Sequence, residues 1–321
     1  HQAETAGLGA NIKQRFFTII IPLFNGEETI ELTLESIFRQ SYKNFEVIIY
    51  NDFSTDNSLS IVKNFIKKNN TKILIINSPY NKGTFFGWKK GIEKSNGEYI
   101  VIAPQDNIMA NSRLNILNSE IIKNNYPSII TSNVAKGTLK NFQNGRGAIK
   151  TALIRYIKPS LPFIFLLKST YFEFDSIVYK KSENKIFLTL EEFSPSEDFA
   201  LVAEIFKIYN EGNYHLHIDQ PIIYKIINKK SQTFTKAEEI AEAGTKYILA
   251  SDINPVIKFF AINSVKNILL FRRFTFKRFF KYLILNPIGL ICGCLLSFLR
   301  LALSIVSTNF NFIKYDKDMF I

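Results

Sequence analysis

Cysteine is nearly missing from this sequence: the 321 residues hold two, Cys292 and Cys294, separated by one glycine. Residues two apart on a helix diverge by about 200°, so the pair does not bridge internally. A disulfide framework and a cysteine-based metal site are both excluded. The two thiols read as small apolar fillers, in keeping with a reducing compartment. Histidine is as scarce, with three residues. His215 and His217 have no partner at metal-ligand spacing and read as structural. Acidic side chains are in deficit: 28 Asp and Glu against 40 Lys and Arg leave a net charge of +12. Such an excess favours an anionic partner. Nucleic acid is the weakest choice, because neither a zinc-finger spacing nor an RNP-like aromatic pattern occurs. No secretory leader is visible, and residues 1–15 are expected to be an appended or trimmed N-terminus outside the fold.

What the sequence has is an alternation. Strand-type runs Phe16–Pro22, Phe45–Tyr50, Lys72–Asn77, Tyr99–Ala103 and Ser128–Ser132 are separated by amphipathic segments Glu28–Arg39, Ser58–Asn69, Thr84–Ser95 and Ser112–Asn124. This order predicts an α/β fold, a Rossmann-like, mostly parallel sheet flanked by helices. Asp56 and Ser58 are candidate caps for the second helix and Ser112 for the fourth. Residues 137–147 read as a polar loop, Leu161–Lys168 as a strand, and residues 197–209 as a helix. His217–Ile226 reads as a last strand, with Pro221 marking an edge or bulge. Acidic residues stand at the strand tips: Asp52 and Asp56 after the second, Asp106 after the fourth. The C-terminal ends of parallel strands are where such sheets bind ligands.

Beyond residue 235 the composition changes. Ala237–Ser251 reads as helical, Val256–Lys281 mixes apolar residues with lysine and arginine, and Tyr282–Leu299 carries no formal charge. That last run reaches the lower length limit of a membrane span, but Pro287, Gly289 and Gly293 weaken a straight helix. The expectation is a peripheral segment lying in an anionic headgroup layer. The organisation read from sequence is therefore 1–15, a globular domain at 16–235, and a basic, apolar, helical and membrane-associated region at 236–321. A homo-oligomer is compatible with it.

Several ordered segments carry a resemblance: Ile19–Asn25, Glu35–Gln40, Phe45–Asp56, Asn81–Gly83, Gly97–Tyr99, the Asp106 turn and Glu197-Asp198. Together, residues 16–232 resemble the family 2 glycosyltransferases, inverting enzymes of the GT-A fold that use nucleotide-activated sugars. The resemblance implies a nucleotide site at Pro22, Phe24, Asn25, Asp52, Lys82, Gly83 and Gln105. In it Asp52 accepts a hydrogen bond from a uracil or thymine imide, and Gln105 reaches the ribose. Asp106 is implied as the ligand of Mg²⁺ or Mn²⁺, because such ions need hard oxygen donors. Asp198, with Glu197 as fallback, is implied as the general base that takes the acceptor proton. Pro104 stands where the family's Asp-x-Asp pattern has its first carboxylate. Trp88 reads as core rather than as a platform for sugar.

The expected activity is transfer of one sugar from a nucleoside diphosphate, UDP first and dTDP next, to an acceptor hydroxyl. The C-terminal region points to a lipid-linked or surface-glycan acceptor at the cytoplasmic face of the inner or plasma membrane. A processive synthase is disfavoured, since the Gln-x-x-Arg-Trp signature is missing. The alternative is a catalytically degenerate protein that binds sugar nucleotides or scaffolds a glycan assembly complex.

Overall fold

The computed structural model describes residues 15–150, 174–183, 215–227, 237–262, 295, 308–314 and 319–320. Three apolar runs form the centre of the sheet as β1 (Phe17–Leu23), β2 (Phe45–Asn51) and β4 (Tyr99–Ile102), with β3 (Leu74–Asn77) beside β2. All seven residues of β1 and all four of β4 are buried, as expected of strands covered on both faces. The pairings β1–β2, β1–β4 and β2–β3 are parallel. The spatial order β4-β1-β2-β3 means that the chain winds outward from β1 to β3 and then returns past it. A topological switch point therefore opens between the C-terminal ends of β1 and β4.

The amphipathic segments form α1 (Ile30–Phe38), α2 (Ser58–Asn69), α3 (Thr84–Lys94) and α4 (Arg113–Lys123). Ile30, Leu34 and Ile37 of α1, Val62 and Phe65 of α2, and Leu114, Leu117 and Ile121 of α4 join the β1 and β2 side chains in one core. Burial of these stripes is the main reason the helices persist in so short a form. The N-cap of α2 is Asn57 rather than Asp56 or Ser58, and Asp56, one residue earlier, accepts from the Ser58 amide at 3.0 Å. Ser58 itself is the first helical residue, and its hydroxyl instead receives the Gly26 amide at 2.7 Å. Ser112 stands at the N-cap of α4 without a side-chain bond to the helix.

The remaining strands correct the expectation of a mostly parallel sheet. They are β5 (Asn107–Met109), β6 (Ile129–Gly137), β7 (Arg146–Lys150), β8 (Val178–Lys180), β9 (His215–Ile226) and β10 (Thr308–Lys314). β8 runs antiparallel to β4 and β6, β7 to β6, β9 to β5 and β10 to β7, while β6 and β9 are parallel. The sheet is therefore mixed, parallel in its centre and largely antiparallel where the later strands join it. A register shift where Asn133 meets Pro221 gives the bulge that Pro221 announces. Residues 137–147, expected as a loop, contain α5 (Leu139–Gln143). Thr138 and Asn141 close its N-terminus as a capping box.

Both ends of the chain differ from the sequence-based boundaries. Arg15 belongs to the fold, its guanidinium bonded to Glu98 at 2.8 Å and lying 4.4 Å over the Tyr126 ring. At the other end, β10 pairs with β7, and the buried Phe320 ring meets Tyr224 at 6.3 Å. Parts of 236–321 thus return to the main sheet, and the same region contains the helix α6 (Ala237–Ala250). Among the described residues no helix is long and apolar enough to cross a membrane. The uncharged run 282–299, Cys292 and Cys294, the strand expected at 161–168 and the helix expected at 197–209 lie outside the described residues, save Leu295.

The approach of Gly97 to β1 is tight enough to test. A Cβ at that position would stand 2.4 Å from the Thr18 amide nitrogen and 2.8 Å from the Phe17 carbonyl carbon, both backbone atoms. Gly97→Ala is expected to destabilise the fold by about 2 kcal/mol, read as a lower urea midpoint at unchanged slope.

Candidate active site

The crevice at the switch point is built from five chain segments. β1 ends in Phe24 and Asn25, both exposed, while Pro22 is buried in the strand beside Tyr50. β2 ends in Asn51 and Asp52, and Asp52 is only 3% exposed. One Asp52 oxygen accepts the Lys82 amide at 2.7 Å and the other the Gly83 amide at 2.8 Å. Gly83 is the N-cap of α3 and has φ 89°, a conformation glycine adopts without strain. Asp52 therefore ties the tip of β2 to the entrance of α3. Each carboxylate oxygen retains a second lone pair for a ligand N–H.

Phe53 follows in the left-handed region at φ 62° and is 50% exposed. Asn51 helps to hold this turn, its Oδ1 accepting from the Ser54 amide at 3.3 Å. Exposed Phe24, Phe53 and Tyr80 stand at or just beyond the tips of β1, β2 and β3, so the crevice has an aromatic rim. The Lys82 ammonium lies over the Tyr80 and Phe86 rings, at 4.9 and 4.2 Å, a cation–π arrangement at the same rim. Trp88 is buried, its ring 4.7 Å from Phe174, as a core residue would be.

Gln105 has a structural task that its sequence context did not reveal. Its Oε1 accepts from the Phe24 amide at 2.8 Å and its Nε2 donates to the Phe24 carbonyl at 3.0 Å. The side chain thus pairs with the backbone of β1 as a strand would, and joins the turn after β4 to the tip of β1. Asp106 follows, partly buried, with its carbonyl accepting from the Ile226 amide at 2.9 Å. Burial raises the Asp106 carboxyl above its usual range. Lys225 opposes the shift, Asp175 adds to it, and Lys136 opposes it more weakly.

Sequence reasoning missed most of the groups around Asp106. Lys225 binds Asp175 at 2.5 Å, and Asp175 is buried. Arg113 is 1% exposed, and none of its three guanidinium nitrogens has a hydrogen-bond partner among the described residues. Burial brings its pKa down to about 9, against the influence of Asp175. No local pattern marks these residues, since Arg113, Asp175 and Lys225 are far apart in the chain.

The donor chemistry tests whether Mg²⁺ or Mn²⁺ fits. Asp106 is a hard oxygen donor, but Asp175 is engaged by Lys225, and Pro104 offers no ligand. Among the described residues no three His, Cys, Asp or Glu side chains come together as a metal site. Lys225, register partner of the next residue Asn107, acts on the Asp106 carboxyl instead, and the described residues do not fit a divalent cation. Asp198 and Glu197, the candidate base and its fallback, lie outside the described residues.

Beside the crevice, Thr131 bridges two histidines, its hydroxyl 2.9 Å from His215 Nε2 and 2.9 Å from His217 Nδ1. His217 Nε2 lies 3.1 Å from Asn133 Oδ1, so that nitrogen carries the proton and Nδ1 accepts from Thr131. His215 is held neutral, its pKa brought down to about 3 by burial and then by His217. The unfolded chain, with an ordinary histidine, binds the proton first. Stability from this group is present above about pH 6.5 and is lost as pH falls towards about 3, by at most about 1.4 kcal/mol per pH unit. Urea midpoints between pH 7 and 4 are expected to fall less steeply for His215→Gln than for the natural chain.

With this geometry in view, comparison with known proteins is decisive. The profile described as glycosyl transferase family 2 matches residues 18–182, which is half of the chain. The chain belongs to glycosyl transferase family 2. Two curated relatives extend the match. An uncharacterized glycosyltransferase of Haemophilus influenzae is 24% identical over 271 residues, covering 83% of this chain and 97% of the relative. The GalNAc(5)-diNAcBac-PP-undecaprenol beta-1,3-glucosyltransferase of Campylobacter jejuni is 27% identical over 220 residues, covering 67% of this chain and 66% of that protein. Among solved structures, S. aureus TarS 1-349 in complex with UDP-GlcNAc superposes with a TM-score of 0.54 at 17% identity, covering 79% of this chain and 72% of that one. This last likeness speaks to the fold of the family 2 transferase alone.

Proposed function

We propose that this family 2 member is an inverting glycosyltransferase that moves one sugar from a nucleoside diphosphate, UDP first and dTDP next, to an acceptor hydroxyl. The observation that carries the reading is Asp52: a buried carboxylate at the tip of β2, ordered by two backbone amides, beside an aromatic rim. Such a carboxylate accepts well from the imide of uracil or thymine, and stacking rings suit a nucleobase. In the proposed step the acceptor oxygen attacks the anomeric carbon as the bond to the diphosphate oxygen breaks. The electron pair leaves with the nucleoside diphosphate, and Asp198 takes the acceptor proton. Opposite-face attack inverts the anomeric centre, by the logic of single-displacement glycosidases.

A lipid-linked or surface-glycan acceptor is supported by the undecaprenol-linked acceptor named for the Campylobacter jejuni relative. The basic, apolar composition of residues 256–306 supports a peripheral place at the cytoplasmic membrane face. An Mg²⁺ or Mn²⁺ ion would need donors beyond the described residues. Pro104 keeps one other reading in play, a sugar-nucleotide-binding scaffold without turnover.

The test is a panel of UDP- and dTDP-sugars offered with lipid-diphosphate-linked acceptors, the product anomer being read by NMR. Transfer with inversion supports the proposal. Retention of configuration sinks the mechanism, and tight UDP binding without turnover of any donor favours the scaffold.

A further inference from the structure

We propose that Lys225, with Lys136 beside it on the neighbouring strand, supplies the positive charge that receives the donor's diphosphate, in the place where the fold family uses a divalent metal ion. The inference rests on the nucleotide-sugar reading above and concerns how that site balances charge.

Position is the first argument. Asn107, the residue after Asp106, is the register partner of Lys225, and the Asp106 carbonyl takes the amide of Ile226. Gln105, the residue before, is clasped to the tip of β1. Lys225 is thereby held beside the acidic turn that closes the switch-point crevice, where a sheet of this kind receives a ligand's phosphates.

Charge is the second. Lys136 and Lys225 are register partners on the parallel strands β6 and β9, so both leave the same face from backbones about 5 Å apart. Like charges directly opposite one another destabilise a sheet, and such a pair suits an anion. Asp175 engages Lys225 from the protein side at 2.5 Å, while the unpartnered Arg113 guanidinium acts on Asp175 from its buried position. Among the described residues, Lys225 and Lys136 act on Asp106, and Lys225 and Arg113 act on Asp175. Exposure is the third argument. The Lys225 side chain is 31% exposed while that of Asp175 is 5% exposed, so the lysine side chain reaches solvent where the carboxylate does not. A dication in this place would face two ammonium groups, whereas the oxygens of a diphosphate complement them. As the bond from the anomeric carbon to the diphosphate oxygen breaks, the electron pair moves onto that oxygen. The Lys225 ammonium offsets the growing charge without giving up its proton.

The experiment measures UDP binding to the full chain by calorimetry in EDTA, and again with Mn²⁺ or Mg²⁺ added. The natural chain is expected to bind UDP in EDTA, with less than about a threefold change on adding metal. Lys225→Met keeps the apolar stem and should weaken binding about tenfold to a hundredfold, while Lys225→Arg should restore most of it. Asp106→Asn should tighten binding in EDTA, since it removes a negative charge near the diphosphate; at a metal site it would weaken it. If Lys225→Met does not fold, Lys136→Met serves, with a smaller loss expected. UDP bound only in the presence of Mn²⁺ or Mg²⁺ and lost in Asp106→Asn overturns the proposal and leaves the transferase reading standing. UDP affinity unchanged by either lysine variant also overturns it. No binding of UDP, dTDP or GDP in any buffer overturns the nucleotide-sugar reading itself.

Discussion

Asp198→Asn is expected to lower kcat by about 10²–10⁴-fold while leaving the donor's KM nearly unchanged. The amide has the size and shape of the carboxylate but does not take up a proton at neutral pH. The acceptor oxygen must then attack with its hydrogen still attached. Donor binding is expected to be unaffected because, in the proposed inverting step, the base works on the acceptor, on the opposite side of the anomeric carbon from the diphosphate. Glu197→Gln provides the internal comparison, with a loss at least tenfold smaller. Steady-state kinetics with saturating acceptor separate the two. A greater loss in the Gln variant moves the base to Glu197, and equal, small losses in both would remove the acidic pair from the mechanism.

The second large effect is at Asp52. Asp52→Ala is expected to lower stability by about 2–4 kcal/mol, because the Lys82 and Gly83 amides both lose their acceptor, each at about 1–3 kcal/mol if left unpaired. The same change should weaken UDP binding by at least about tenfold, since the nucleobase carboxylate is gone and the α3 entrance is no longer tied to β2. Asp52→Asn separates these contributions. Its single oxygen still accepts one amide, but its NH₂ group faces the other, so roughly half of the stability loss is expected. Its amide also presents a donor where the imide N–H needs an acceptor. Chemical denaturation and calorimetry on the folded fraction read the two effects independently. Reduced stability with normal UDP affinity would leave Asp52 a loop anchor and no more.

The centre of the sheet was readable because β1, β2 and β4 are largely apolar, a pattern that burial on both faces explains. The acidic turn at Asp56 was equally plain, since an Asx turn acts over two residues. Local signals failed where partners are distant. β5 is three residues long and pairs with a strand more than a hundred residues later. Lys225 lies in an ordinary strand context, and only the fold brings it to Asp175. The helix within 137–147 was hidden because Gly137, Gly145 and Gly147 outweighed the Thr138–Asn141 cap, which lacks the usual Glu or Gln at its third position. At Gln105 no local pattern signals that the backbone of Phe24, eighty-one residues earlier, uses both hydrogen-bonding ends of its amide.

The long parallel pairing of β6 with β9 has a temporal consequence. Ile129 meets His215 and Lys136 meets Lys225 across an intervening stretch of more than eighty residues. Closing such a loop costs entropy before any contact rewards it, as it does for β1 with β4, whereas β1–β2 and β2–β3 pair among nearer neighbours. During synthesis the side of the crevice that holds Asp52 is complete in sequence long before Lys225 leaves the ribosome. On the proposed reading, the nucleobase half of the site is thus the early part of the chain and the phosphate half the late one.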